Sequence, residues 1–243
     1  MVSRIGFLRV AFWLLLPATA VQGLWLRRVA IRLPGAPGER QGDIGSGEVM
    51  HLLALGDSII EGVGTNNVRD SLPVQFARVL SEQSGKCIHW RIEGQSGFDI
   101  DDVLERLNSL EQLPAPHFVL LSVGVNDVTG LSTTRHWRSK VKELLQTLCR
   151  RWPGTQIIFT GLPPMAEFPL PPQPLRFSLG LRAATLDSIA AMEISNIPNA
   201  NHIPTRINPG EHGFCEDGFH PSAESCNLWA EQLLLDQGEN NHE

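Results

Sequence analysis

Four polar residues in this chain could together perform nucleophilic chemistry on a carbonyl group. Ser58 lies in a Gly-Asp-Ser turn, Asn126 follows a glycine by two positions, and His220 follows Asp217 by three. A serine hydroxyl becomes a nucleophile when an imidazole accepts its proton, and a nearby carboxylate can orient that imidazole and stabilise the imidazolium. The amide of an asparagine can donate hydrogen bonds to an oxyanion. These residue types predict acyl transfer through a serine.

The elements that must position these residues alternate between strands and helices. Short apolar runs predict four strands and a weaker fifth, at Val49–Leu55, Cys87–Ile92, Phe118–Val123, Gln156–Thr160 and Ala200–Ile203. Apolar residues at helical spacing predict five helices, at Leu72–Ser84, Ile100–Leu110, Thr134–Arg151, Leu175–Ile194 and Ser222–Leu235. Strict alternation indicates an α/β protein, a three-layer α/β/α sandwich with a parallel sheet of about five strands.

The polar residues fall where the predicted strands end. Sites in such sheets form beyond the carboxyl ends of the strands, so Ser58 after the first strand and Asn126 after the third should face one cleft. The second strand ends in Glu93-Gly94-Gln95-Ser96-Gly97, where glycine lets a backbone N–H approach a ligand. Pro221 suits the first position of the last helix and would hold His220 just outside its N-terminus.

As an ordered set, these motifs resemble the four blocks of the SGNH, or GDSL, hydrolases over about Met50 to Leu235. The matching residues are Gly56-Asp57-Ser58, Gly97, Gly124-Val125-Asn126-Asp127 and Asp217-Gly218-Phe219-His220. The resemblance implies a flavodoxin-like sheet and an esterase or lipase activity, lysophospholipase-like among others, without cofactor or metal.

The resemblance also implies a role for each matching residue. Ser58 would be the nucleophile, His220 the general base and Asp217 its orienting carboxylate. The oxyanion hole would combine the Ser58 backbone N–H, the Asn126 side chain and the N–H of Gly97, with Gly94 as the alternative glycine. Two positions depart from the family pattern: Ile59 replaces a leucine, and Arg91-Ile92-Glu93 stands where an asparagine is common.

The substrate class stays open at this point. Lipid esters, lysophospholipids and short-chain acyl esters all fit a serine esterase, and an acyltransferase would use the same serine. The proline-rich segment Leu162 to Pro174 predicts an apolar wall through Met165, Phe168 and Leu170. A non-catalytic binding protein of the same fold is less favoured, because every catalytic residue type is retained.

Other classes of site find less support in the sequence. An α/β-hydrolase would carry a G-x-S-x-G pentapeptide, which is missing here. A zinc site could draw on His212, Cys215, His220 and Cys226, but it has no CxxC pair and would share His220 with the Asp-x-x-His motif. Cys215 and Cys226 could instead form a disulfide if the protein is exported. The net charge of -6, from 20 basic and 26 acidic residues, argues against nucleic acid as a partner.

The chain divides into three predicted regions: 1–32, a linker at 33–48, and a hydrolase domain at 49–238. The apolar run Val10 to Leu26, flanked by arginines, favours a secretory signal with Ala18-Thr19-Ala20 as cleavage site, or an uncleaved anchor that associates with a membrane. Either would place the protein in the cell envelope or at a membrane. A buried helix of the fold is the third interpretation.

Overall fold

A computed structural model describes residues 19–26, 28–111, 113–205 and 213–240, the last four by backbone alone. Its strands are β1 (Gln41–Ile44), β2 (Val49–Gly56), β3 (Cys87–Gly94), β4 (Phe118–Ser122), β5 (Gln156–Thr160) and β6 (Ala200–Ile203). A helix at 19–26 precedes the first strand. The later α-helices are α1 (Ser58–Glu61), α2 (Leu72–Ser84), α3 (Ile100–Ser109), α4 (Val125–Gly130), α5 (Thr134–Arg151), α6 (Leu175–Ile194) and α7 (Ala223–Asn240).

The strands form one sheet in the order β1-β3-β2-β4-β5-β6. The five strands from β2 to β6 are parallel, and their order is that of the doubly wound flavodoxin-like sheet. The predicted three-layer sandwich is therefore confirmed. The first two parallel strands, β2 and β3, are neighbours, and β4 lies on the other side of β2, so the carboxyl ends of all three meet at one edge.

Alternating side chains on the strands build the two outer layers. In β2, Leu53 and Leu55 face the core shared with α3, α5 and α6, whereas Leu52 and Ala54 face the core shared with α2 and α7. A strand covered on both faces is apolar throughout, which is why these segments read as continuous apolar runs.

The structure corrects the predicted linker at 33–48. Residues Gln41–Ile44 form β1, which pairs antiparallel with β3 from Gln41 opposite Arg91 to Ile44 opposite Ile88. This edge strand is four residues long, contains Gly42 and buries no residue completely. The strand forms because its backbone pairs with β3, and its own residue types do not favour a strand. The pattern of apolar residues in the sequence therefore does not predict it.

The last helix also begins later than predicted. Pro221 is not its first residue but forms an isolated bridge with Phe214, and α7 starts at Ala223. Ser222 caps the helix, because its hydroxyl accepts a hydrogen bond from the backbone N–H of Ser225 at 3.1 Å. His220 consequently lies in a loop before the helix rather than at its N-terminus.

Residues 1–18, which include the first part of the apolar run Val10 to Leu26, lie outside the described residues. The described part, 19–26, is helical and contacts the domain: Thr19 is buried and Leu26 packs against the core. Among the described residues, none of the helices has both the length and the apolarity needed to cross a bilayer. The signal, anchor and cell-envelope interpretations stay predictions.

Candidate active site

Ser58 lies at the carboxyl edge of the sheet, where the sequence analysis expected it. β2 ends at Gly56, and Ser58 is the first residue of the short helix α1, capped by the carboxylate of Asp57. The first residues of a helix have backbone N–H groups without an intrahelical acceptor, so the Ser58 N–H is suited to bind an oxyanion. The serine is buried, with 7% of its surface exposed.

The distant His220 meets Ser58 across this edge. The Nε2 atom of His220 lies 3.0 Å from the Ser58 hydroxyl, and its Nδ1 atom lies 2.6 Å from Oδ2 of Asp217. The other carboxylate oxygen of Asp217 accepts hydrogen bonds from the backbone N–H groups of Phe219 and His220. The loop thus folds back on Asp217, as the three-residue spacing predicted.

The electrostatics of this pair select one imidazole tautomer. Burial alone would raise the pKa of Asp217, but the hydrogen bonds from the His220 side chain and from two backbone N–H groups hold that pKa below its usual value. The ionised carboxylate can only accept, so the Nδ1 atom of His220 carries the proton. The lone pair on Nε2 is then directed at the Ser58 hydroxyl.

The His220 loop is supported by the proline-rich segment. Gly218 accepts a hydrogen bond from the backbone N–H of Leu170 at 3.2 Å, and the ring of Phe168 makes an edge contact with Phe219 at 5.0 Å. Met165 and Phe168 are buried in the core, so the prediction that they form a substrate wall is wrong. Leu170 alone of that predicted trio borders the cleft.

Asn126 lies beside the same cleft, at the start of α4. Its side-chain Nδ2 donates to the carbonyl of Phe98 at 2.8 Å. An amide has two N–H donors, so a second one is available for an oxyanion. The bond also ties Asn126 to residues 95–98, the loop that follows β3.

The structure distinguishes the two candidate glycines by their surroundings. Gly97 has a φ of +93° in this loop, and a Cβ built there would meet no atom of the described residues within 4 Å. Gly94 ends β3, and a Cβ there would lie 2.6 Å from Ile60. Gly97 therefore borders space that the described residues leave open, whereas Gly94 is packed against α1.

Two acidic side chains outside the proposed catalytic residues lie next to this loop, and one of them binds it directly. The carboxylate of Glu61 accepts the backbone N–H of Ser96 at 2.6 Å and pairs with Arg40 at 3.1 Å. Buried Glu93, near the end of β3, binds the guanidinium groups of Arg91 and Arg106. The sequence motifs do not predict these contacts, because Arg40 lies before the first motif and Arg106 lies on α3, between the second and the third.

The carboxyl group of Asp57, the residue that precedes Ser58, is fully buried. One oxygen accepts the backbone N–H of Ile59 at 3.0 Å, whereas the other is buried without a partner among the described residues. Burial raises the pKa of Asp57 to about 7, and the Ile59 hydrogen bond opposes this shift only in part.

We expect Asp57→Asn to change how stability depends on pH. The folded pKa lies above the ordinary value of 3.8, so the Asp57 contribution is fully present below about pH 4 and is lost as pH rises to about 7. The parent should lose stability relative to Asp57→Asn across this window, by on the order of a few kcal/mol. Denaturant unfolding at a series of pH values measures this difference.

The exposed Gln83 on α2 supplies the control for that experiment. Gln83→Ala removes no titratable group, so its stability should run parallel to that of the parent at every pH. A difference between parent and Asp57→Asn that does not vary with pH would contradict the prediction.

The cysteines do not support the disulfide alternative. Cys215 and Cys226 are free, and the Cys215 thiol donates to the carbonyl of Pro221 at 3.3 Å. Of the alternative zinc set, His212 lies outside the described residues. The residues that are described contain no group of three or more potential His, Cys, Asp or Glu ligands.

The chain is similar to several known ester-cleaving proteins. It is 27% identical over 193 residues to a GDSL-like esterase of Mycobacterium tuberculosis, a match covering 76% of this chain and 61% of that relative's length. A lipase from a goat rumen metagenome has the same fold, with a TM-score of 0.62, 18% identity, and coverage of 76% of this chain and 96% of the lipase.

A family two carbohydrate esterase from Clostridium thermocellum also has this fold, with a TM-score of 0.62 and 17% identity over 79% of this chain and 65% of that protein. The family model of the GDSL-like lipases/acylhydrolases matches residues 54–225, most of the chain and all four motifs. This protein therefore belongs to the GDSL-like lipase/acylhydrolase family.

Proposed function

We propose that this protein is a carboxylic ester hydrolase that acts through an acyl-enzyme on Ser58. The observation that carries the proposal is the continuous hydrogen-bonded series from the Ser58 hydroxyl through His220 to Asp217, at 3.0 and 2.6 Å. A hydroxyl, a base with a free lone pair and an ionised orienting group are what nucleophilic acyl transfer requires. The same reaction is supported by membership of the GDSL-like lipase/acylhydrolase family and by the similarity of this chain to a GDSL-like esterase.

The proposed reaction proceeds in two halves. His220 Nε2 accepts the Ser58 proton as the serine oxygen attacks the ester carbonyl, and Asp217 stabilises the resulting imidazolium. The tetrahedral oxyanion is held by the N–H groups of Ser58 and Gly97 and the Asn126 amide. The imidazolium then protonates the leaving alcohol, and water attacks the acyl-enzyme with His220 again as base.

Trapping the serine tests this proposal directly. The purified protein should hydrolyse p-nitrophenyl acetate, and the phosphotriester diethyl p-nitrophenyl phosphate should release one p-nitrophenolate per chain as it phosphorylates Ser58. Peptide mass spectrometry locates the adduct. A modified residue other than Ser58, or ester cleavage that persists after full modification, would contradict the assignment.

Product analysis with added glycerol tests the acyltransferase alternative, because it shows whether water or an alcohol accepts the acyl group.

We expect Asn126→Ala to lower kcat by about 10²–10³-fold, because the oxyanion loses one donor. The same change also frees the carbonyl of Phe98, so thermal unfolding should be measured beside the kinetics. Asn196→Ala, at an exposed position just after α6, is the matched control and should keep the parent's kcat. A loss below about threefold in Asn126→Ala would remove this side chain from the oxyanion hole.

A further inference from the structure

A large cleft extends from the proposed catalytic residues to the N-terminal helix. It has a volume of about 720 Å³, and His220 and Asn126 line one end of it. Pockets that enclose small ligands span roughly 300–1,000 Å³, so this cleft can accept a substantial part of a substrate.

One wall of the cleft is the segment that the sequence analysis placed outside the hydrolase domain. Gly23, Leu24 and Leu26 of helix 19–26 line it, followed by Ala30 and Ile31. The glycine is half-buried in the helix, and a Cβ built on it would meet no atom of the part of the chain that the structure describes within 4 Å. None of the described residues therefore fills the space in front of Gly23.

Apart from Arg32 and a few hydroxyl, amide and carboxyl groups, the rest of the lining is mainly aliphatic. Leu131 follows α4, Leu170 belongs to the proline-rich segment, and Leu175 and Leu179 lie on the first turns of α6. A carbohydrate needs hydrogen-bonding partners along its length, whereas a mainly aliphatic lining matches a hydrocarbon chain.

Specific hydrogen bonds hold the helix over the cleft. The side chain of Gln22 donates to the carbonyl of Gln173 at 2.9 Å and accepts the backbone N–H of Leu175 at 3.1 Å. The second bond satisfies one of the N–H groups that the first turn of α6 leaves without an intrahelical acceptor. The wall is therefore attached to the same helix that supplies the opposite side.

We propose that residues 19–26 and 28–31 form one wall of a hydrocarbon-binding subsite, so that the substrate is an ester with a hydrocarbon chain of several methylenes, and that Gly23 sets the space available to it. This inference rests on the proposed function, because the ester bond must lie at Ser58 while the chain extends along the cleft. Each buried methylene should raise kcat/KM by up to about fourfold until the cleft is full.

The test compares p-nitrophenyl esters from acetate to decanoate on the full chain. The parent's kcat/KM should rise with chain length, and Gly23→Phe should lower the ratio of decanoate to acetate by about tenfold or more. Val21→Phe, exposed on the same helix and not lining the cleft, should keep the parent's ratio. Replacing glycine inside a helix favours the helix, so loss of the fold is not expected.

A second pair of variants covers the case in which Gly23→Phe does not fold. Leu24 and Val21 are both exposed, yet only Leu24 lines the cleft, so Leu24→Asp should lower the ratio and Val21→Asp should not. A series of alkyl acetates from ethyl to decyl shows whether the chain belongs to the acyl group or to the alcohol. A preference that is flat or falling in both series overturns the subsite.

Binding of decanoate separates this inference from the proposed reaction. In calorimetric titrations the parent and Ser58→Ala should bind decanoate, and Gly23→Phe should bind it at least tenfold more weakly. Binding with this pattern in a protein that cleaves no ester would contradict the proposed function and leave the subsite standing. Ester cleavage together with equal decanoate affinity in Gly23→Phe and Val21→Phe would overturn the subsite alone.

Discussion

Ser58→Ala should lower kcat for p-nitrophenyl acetate by about 10⁶-fold, the scale on which a serine hydrolase loses activity without its nucleophile. The variant should also lose the initial burst of p-nitrophenolate, since no acyl-enzyme can form. The expectation depends on the 3.0 Å separation between the Ser58 hydroxyl and His220 Nε2, which makes this hydroxyl the group that the base can deprotonate. Stopped-flow absorbance measures the burst and the steady state together.

The fold should tolerate this substitution, because it removes only one oxygen atom from the side chain of Ser58. Ser195→Ala, at the exposed end of α6, is the matched control and should retain the parent's burst and kcat. A Ser58→Ala protein with the parent's unfolding temperature and more than about a hundredth of its kcat would show that another group attacks the ester.

Asp217→Asn is expected to lower kcat by about 10⁴-fold while leaving the geometry of the loop nearly intact. In the parent, one oxygen of Asp217 accepts two backbone N–H groups and the other accepts the proton on His220 Nδ1. An asparagine that keeps the backbone bonds must present its NH₂ group to Nδ1. That donor would select the tautomer with the proton on Nε2, which cannot accept the Ser58 proton.

A second Asp–His pair in the same protein provides a close control. Asp187 and His202 lie 2.8 Å apart, and Asp187 also accepts a backbone N–H, that of Leu162. Asp187→Asn makes the same chemical change away from Ser58 and should leave kcat within about twofold of the parent. Equal losses in Asp187→Asn and Asp217→Asn would mean that stability rather than tautomer control explains the effect. The KM of Asp217→Asn should change little, since Asp217 acts through His220 rather than on the substrate.

The parallel strands could be predicted closely because they are buried on both faces. The segments at Gln156–Thr160 and Ala200–Ile203 agree with the sequence prediction at both ends, and β2 and β3 extend only one or two residues further. Their apolar composition is imposed by the two helical layers that cover the sheet. The edge strand β1 has no such cover, and its four residues contain little that distinguishes them from a linker.

The supporting contacts of the site could not be predicted, because they join residues that are far apart in the chain. Glu61 reaches Ser96 across 35 positions, and Gln22 reaches Leu175 across 153. A charged or amide side chain can hydrogen-bond to many groups, and only the tertiary structure determines which of them lies within reach. The same reasoning explains Met165 and Phe168, which are apolar enough for a substrate wall but are used by the core.

The sequence by itself determined the layered α/β architecture and the residue types at the strand ends, since both follow from local patterns of apolar side chains, glycines and short polar motifs. The tertiary structure decided which glycine faces open space, how the Asp217 carboxylate is shared between imidazole and backbone, and that helix 19–26 lies along the cleft. Those outcomes depend on packing and hydrogen bonds between distant segments, whose free energies exist only once the sheet has brought the segments together.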